Sequence, residues 1–288
     1  MNDFDLQERS RKNTDDFVNT IRLEWNSPSL DGKVLLLVED RDDCFFYYKF
    51  FNHQLVEIRT TKGCDKIRDI VSNLRCYIIC FSIRDCDFLR LCNTPSEENI
   101  FLTDCHDHEM MCLSDKKTLH SLFDNFFIDF DNNLICDVYS NLRTLSYFKW
   151  YNMKYHLNCN FKSINPVSLS KSELTSFKGL YRIIKECSPK LKQDLSSDDF
   201  YEFISSNRNV SPKEIVNGHD FLSLFSHQID KIVNQKFIND KKKSINSDYV
   251  RHVMYACFTM ESFKKTNLYK QIRNWARKNN RKNLFASS

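Results

Sequence analysis

The stretch VLLLVEDRDDCFFYYKFF, residues 34–51, decides the fold. Its first five residues, Val34 to Val38, are all valine or leucine. That run is short for a helix and lacks the polar alternation of a half-exposed strand. It predicts a strand buried on both faces, as in a parallel sheet. Asp31-Gly32 just ahead is a turn signal. From Arg41 onward Phe45, Phe46, Tyr48 and Phe51 recur at helical spacing. Glu39 stands at the junction, directly after the strand.

Toward the C-terminus the same alternation repeats. Leu55 to Thr60 reads as a second strand, and residues 64–74 as a helix carrying Ile67, Ile70, Val71 and Leu74 on one face. Tyr77 to Ile83 is a third apolar run, ending in Arg84-Asp85-Cys86-Asp87. Ile100 to Leu102 is a short fourth strand, and residues 107–123 read as a helix. This order predicts an α/β domain, a mainly parallel sheet with helices on both faces. Toward the N-terminus, residues 1–30 form a polar arm in which Phe17, Ile21 and Trp25 share a helical face.

Beyond residue 131 the pattern turns helical, over about 133–158, 172–186, 198–206, 219–239 and 246–280, with loops at Pro166, Pro189 and Pro212. The expected organisation is an arm (1–30), an α/β domain (31–131) and an all-α C-terminal domain (132–288). Trp150, Tyr151, Tyr155 and Phe161 read as helix-packing core, and Lys241, Lys242 and Lys243 as an exposed loop.

Composition bounds the rest. With 288 residues, 41% of them hydrophobic, the chain has enough apolar surface for a sizeable core. The first thirty residues hold no apolar stretch of signal-peptide type, and no run of 18 apolar residues occurs, so a cytoplasmic protein without membrane spans is expected. The 12 cysteines are scattered, without a C-x-x-C, and read as reduced, small apolar residues. Cys105, His106, His108 and Cys112 cluster, but no second ligand pair stands at a zinc-site spacing. Residues 1–131 hold 16 Lys+Arg against 25 Asp+Glu, and residues 132–288 hold 26 against 13. An acidic half joined to a basic half suits a cation site working beside a polyanion.

Ligands of parallel α/β sheets collect outside the carboxyl ends of the strands. Glu39 follows the first strand, and Asp85 and Asp87 follow the third at i, i+2. Asp104 follows the fourth, and Asp107 and Glu109 open the next helix. Converging carboxylates repel one another; a divalent cation such as Mg²⁺ or Mn²⁺ relieves that repulsion and polarises a phosphoryl group. The plainer alternative is that Asp104 or Asp107 caps the helix near residue 107, and that Asp42 and Asp43 complement a helix dipole.

VLLLVEDRDDCFFYYKFF (34–51), FSIRDCDF (81–88) and NIFLTDCHDHEMM (99–111), in this order, resemble a TOPRIM-like family found beside ABC-type ATPases in anti-phage loci, the AriB type of the PARIS system. The resemblance spans about residues 33–115. It implies a metal-dependent nuclease with catalytic and metal-binding Glu39, Asp85 and Asp87, and with Glu109 and Asp107 as further ligands. It also implies a partner ATPase of the same defence system that restrains and releases the nuclease, which works as monomer or homodimer. RNA, tRNA in particular, is the expected substrate, and DNA the alternative. Two departures stand out: Asp40 replaces a glycine expected to need positive φ, and Ser82 and Arg84 replace a glycine and an apolar residue. Asp40 and Arg84 favour a rival reading, a catalytically degraded module that docks on the ATPase; an OLD-like DNA endonuclease is a third.

Residues 262–288 carry eight basic residues and no acidic one. Arg273, Arg277 and Arg281 stand at i, i+4, i+8 with Lys270 at the edge, which predicts a helix face that tracks a phosphate backbone. No glycine-rich phosphate loop occurs, so ATP hydrolysis is not expected of this chain.

Overall fold

The computed structural model describes residues 14–63, 66–189, 191, 194–236 and 244–286. The first thirteen residues of the arm, Cys64 at the start of the expected second helix, and Lys241 to Lys243 lie outside the described residues. In chain order the first elements are α1 (Thr14–Glu24), β1 (Val34–Val38), α2 (Arg41–Tyr48), β2 (Val56–Thr60), α3 (Ile67–Leu74), β3 (Cys80–Arg84) and β4 (Ile100–Leu102). Then come α4 (His108–Ser114), α5 (Lys116–Asn125), α6 (Asn132–Tyr155), a 3₁₀ turn (Pro166–Ser168), α7 (Lys171–Thr175), α8 (Phe177–Cys187) and α9 (Ser197–Ser206). The chain closes with α10 (Pro212–Ile215), α11 (Gly218–Lys236), α12 (Ser247–Cys257), α13 (Met260–Lys265) and α14 (Asn267–Lys278). No described helix is long and apolar enough to cross a membrane.

These elements fall into two compact units. The first comprises Met1–Asp85, Pro95–Asp104 and Met260–Ser288; the second comprises Cys86–Thr94 and Cys105–Thr259. The expected boundaries at residues 30 and 131 divide the chain in sequence order, whereas the compact units interleave along it.

The first unit is α/β. Its four strands are all parallel, in the order β2-β1-β3-β4. Leu36 of β1 pairs with Ile58 on one side and Phe81 on the other. All five β1 residues are fully buried, which accounts for their unbroken apolar character. On one face Leu35, Leu37, Cys80 and Ile100 pack with Phe17, Val18 and Ile21 of α1 and with Ile67, Ile70, Val71 and Leu74 of α3. On the other, Phe81 meets Phe51, Phe101 and Trp275, with ring centroids 6.0, 5.9 and 4.7 Å away. Each such buried side chain contributes roughly 1.5–3 kcal/mol. The third apolar run starts its strand three residues later than expected. Tyr77 and Ile78 donate their N–H groups back to the Leu74 carbonyl and close the turn after α3.

The second unit is helical among the described residues. The long α6 buries Val138, Leu142, Leu145, Phe148 and Trp150. Phe200 stacks on Phe148 at 4.1 Å, and Phe203 meets Trp150 edge-on at 4.9 Å. Trp150 and Tyr151 are therefore core, as expected, while Tyr155 is half exposed. The single helices expected at 107–123, 172–186 and 246–280 are each divided. Asp115, Ser176 and Thr266 cap new N-termini there, their side chains accepting from Thr118, Gly179 and Tyr269 N–H.

Candidate metal centre

Three acids of the first unit, Glu39, Asp43 and Asp85, stand at or just past the carboxyl ends of β1 and β3, which are neighbours in the sheet. Glu39 directly follows β1 and Asp85 directly follows β3. The Asp85 N–H donates to Glu39 Oε1 at 3.3 Å. Asp43, on the first turn of α2, brings a carboxylate oxygen within 4.8 Å of one from Asp85. It is only 5% exposed. Two like charges at that distance repel by roughly 3 kcal/mol at an effective dielectric of ~20. Asp43 and Asp85 offer two close carboxylate oxygens, and Glu39, which accepts the Asp85 N–H, adds a third acid beside them; oxygen donors with excess negative charge suit a hard cation such as Mg²⁺ or Mn²⁺.

Asp43 is the residue that sequence reasoning set aside as dipole compensation. It does serve the helix: its Oδ2 accepts the Asp40 N–H at 3.0 Å, while Asp40 Oδ1 accepts from Asp42 and Asp43 N–H at 2.8 and 3.1 Å. The pair forms a capping box. Asp40 has φ −139°, ordinary extended backbone. The expected strain at this position is therefore absent, because the local turn closes through a cap rather than through positive φ. Ser82 is likewise accommodated: its buried hydroxyl donates to the Leu37 carbonyl at 2.9 Å. Arg84 has the direct electrostatic consequence. Its Nε lies 3.7 Å from Glu39 Oε1, an ion pair in which both side chains are mostly shielded from solvent.

Asp87, Asp107 and Glu109 belong to the second unit. Asp87 takes a left-handed φ of 45°, which aspartate tolerates. Its N–H donates to the His106 carbonyl at 2.6 Å, and its carboxylate stands 3.7 Å from His106 Nε2. Burial holds His106 below the usual histidine range even against the nearby Asp87 charge, so the ring is neutral at pH 7. Asp107 Oδ1 accepts from Met110 N–H at 2.8 Å, capping α4, and its Oδ2 accepts from Gly218 N–H at 2.6 Å. Gly218 is required: a Cβ there would stand 2.4 Å from Glu109 Cβ and 2.6 Å from Asp107 Oδ1. Glu109, 1% exposed, accepts from the Tyr255 hydroxyl at 3.0 Å, with His108 Nδ1 at 3.5 Å and His219 Nε2 at 3.8 Å. Burial opposes its charge, but the histidines and the tyrosine hydroxyl hold the carboxyl below its ordinary range.

Asp104 is neither a cap of α4 nor close in sequence to what it binds. It accepts the N–H groups of Asn267 and Leu268 at 2.6 and 2.8 Å, fixing the start of α14. That helix buries Leu268, Ile272, Trp275 and Ala276 and exposes Lys270, Arg273 and Arg277. Arg281 departs from the expected row. The helix ends at Lys278, Asn280 turns at φ 58°, and Arg281 is half-buried beyond it.

Comparison with protein-family models finds no match for this chain, and comparison with curated proteins finds none either.

Proposed function

We propose that the chain is a metal-dependent phosphodiesterase acting on nucleic acid. The observation that carries this reading is the approach of the Asp43 and Asp85 carboxylates to within 4.8 Å, with Glu39 bound to the Asp85 N–H, where two adjacent parallel strands end. Asp43 and Asp85 would hold the cation, with Glu39 beside them; bound there, Mg²⁺ or Mn²⁺ would supply charge neutralisation at a phosphate and acidify water. Glu39 accepts the proton of the attacking water or ribose hydroxyl, its carboxylate oriented by the Asp85 N–H and the Arg84 guanidinium. Arg84 also stands ready to contact a phosphate oxygen. Lys270, Arg273 and Arg277, exposed on a helix of the same unit, supply phosphate contacts.

The resemblance of residues 33–115 extends the proposal. It makes the chain the effector of an anti-phage system, cutting RNA such as tRNA when a partner ABC-type ATPase releases it. A second reading, a catalytically silent docking module, is favoured by one observation: the Arg84–Glu39 ion pair supplies from within part of the positive charge a cation would bring. The test is incubation of the full chain with Mg²⁺ or Mn²⁺ and either total tRNA or plasmid. Metal-dependent cleavage that Glu39→Ala abolishes is expected, with the RNA and plasmid arms separating the substrate classes. No cleavage under any condition, together with wild-type cellular toxicity of Glu39→Ala, supports the docking module instead.

A further inference from the structure

Between α14 and the edge strand β4 lies an open groove of about 950 Å³ within the first unit. The helix is fixed to the strand at both ends. Asp104, just past β4, receives the first N–H groups of α14. Trp275 Nε1, near the far end, donates to Asn99 Oδ1 at 2.8 Å, just ahead of β4. The helix therefore runs antiparallel to the strand, and its outward surface carries two parallel rows. Lys270, Arg273 and Arg277 (i, i+3, i+7) form a basic row. Gln271, Asn274 and Lys278, at the same spacing, form the groove wall beside it. All six are exposed. The two carboxylates at the groove already have cations: Glu97 accepts two 2.7 Å hydrogen bonds from Arg68, and Glu98 pairs with Arg75.

We propose that this groove receives the bases of an unpaired nucleic-acid strand whose phosphates lie on Lys270, Arg273 and Arg277. Carboxamides pair donor and acceptor in the geometry of base edges, and Gln271 and Asn274 offer two of them in one row. From Lys270 to Arg277 the helix rises about 10 Å, a length over which a stacked strand advances roughly three nucleotides at ~3.4 Å of axial rise each. A duplex turns its bases inward, away from a groove that begins one helix row from the phosphates. A duplex shows its base edges only on the floor of its own grooves, whereas the splayed bases of an unpaired strand can enter a concave site while their phosphates stay on the adjacent row.

The groove's class of ligand rests on the nucleic-acid reading above, whereas its occupancy is measured without catalysis. Fluorescence anisotropy on the full chain in EDTA would use fluorescein-labelled strands of about 15 nucleotides: RNA, DNA, an abasic strand of equal charge, and a duplex. Wild type is expected to bind a base-bearing single strand more tightly than the abasic strand or the duplex. The double variant Gln271→Ala/Asn274→Ala is expected to lose about ten-fold on base-bearing strands, with no loss on the abasic one and an unchanged salt slope. Arg273→Ala is expected to weaken every strand and to lower the salt slope by about one. Wild-type affinity in the double variant, duplex bound as tightly as single strand, or no binding by wild type would overturn the proposal. Groove-dependent binding without cleavage in Mg²⁺ removes the nuclease reading and keeps the groove. Cleavage by wild type, with a double variant that binds and cleaves equally well, removes the groove alone.

Discussion

Asp43 carries two duties on one carboxylate. One oxygen closes the capping box of α2, and the group stands within 4.8 Å of Asp85. Asp43→Asn preserves an acceptor for the Asp40 N–H and removes the charge. It is expected to leave the urea midpoint nearly unchanged while lowering cleavage about 100-fold or more; a fall in stability with cleavage intact would make Asp43 a cap alone. In the sequence the residue was legible only as a first-turn acid, because every helix start tolerates one and 5% exposure cannot be read from neighbours. Glu39 and Asp85 were legible because each ends an apolar run. His106 gives a second expectation. Its pKa is depressed by burial, so the unfolded chain takes up a proton near pH 6.5 that the folded chain resists. The stability this brings is present above about pH 6.5 and is lost as pH falls below it. Between pH 7 and pH 5, urea midpoints of wild type should fall more steeply than those of His106→Asn. Parallel curves would mean that His106 charges freely in the fold.

The elements that position the acids were largely legible, since five buried residues of β1 leave a signature no surface strand has. What periodicity missed were contacts between distant segments. Asp104 caps a helix that starts 163 residues later, and nothing at position 104 announces it. The divided helices had visible signals in Asp115, Ser176 and Thr266, but continuous apolar spacing concealed them. Asp104→Ala removes two acceptors from the N-terminus of α14 and should cost about 1–2 kcal/mol in urea unfolding. The same variant should keep wild-type Mn²⁺ uptake. Lost uptake with unchanged stability would make Asp104 a ligand rather than a cap.

Over the whole chain the acidic and basic halves remain the broadest clue, with 25 acidic residues before position 132 and 26 basic ones from there on. Sequence order and compact structure nevertheless divide differently. The last basic segment, Met260–Ser288, belongs with the sheet, while Cys86–Thr94 and Cys105–Thr259 make the helical unit. Lys270, Arg273 and Arg277 thus share a unit with Glu39, Asp43 and Asp85, which a division at residue 131 hides. The acid set itself is the central claim, and Mn²⁺ titration of the full chain followed by electron paramagnetic resonance tests it most directly. Wild type should remove Mn²⁺ from the free-ion signal, and Glu39→Gln, Asp43→Asn and Asp85→Asn should each weaken that uptake by about ten-fold or more. Uptake equal in wild type and all three variants, or none in wild type, would contradict it.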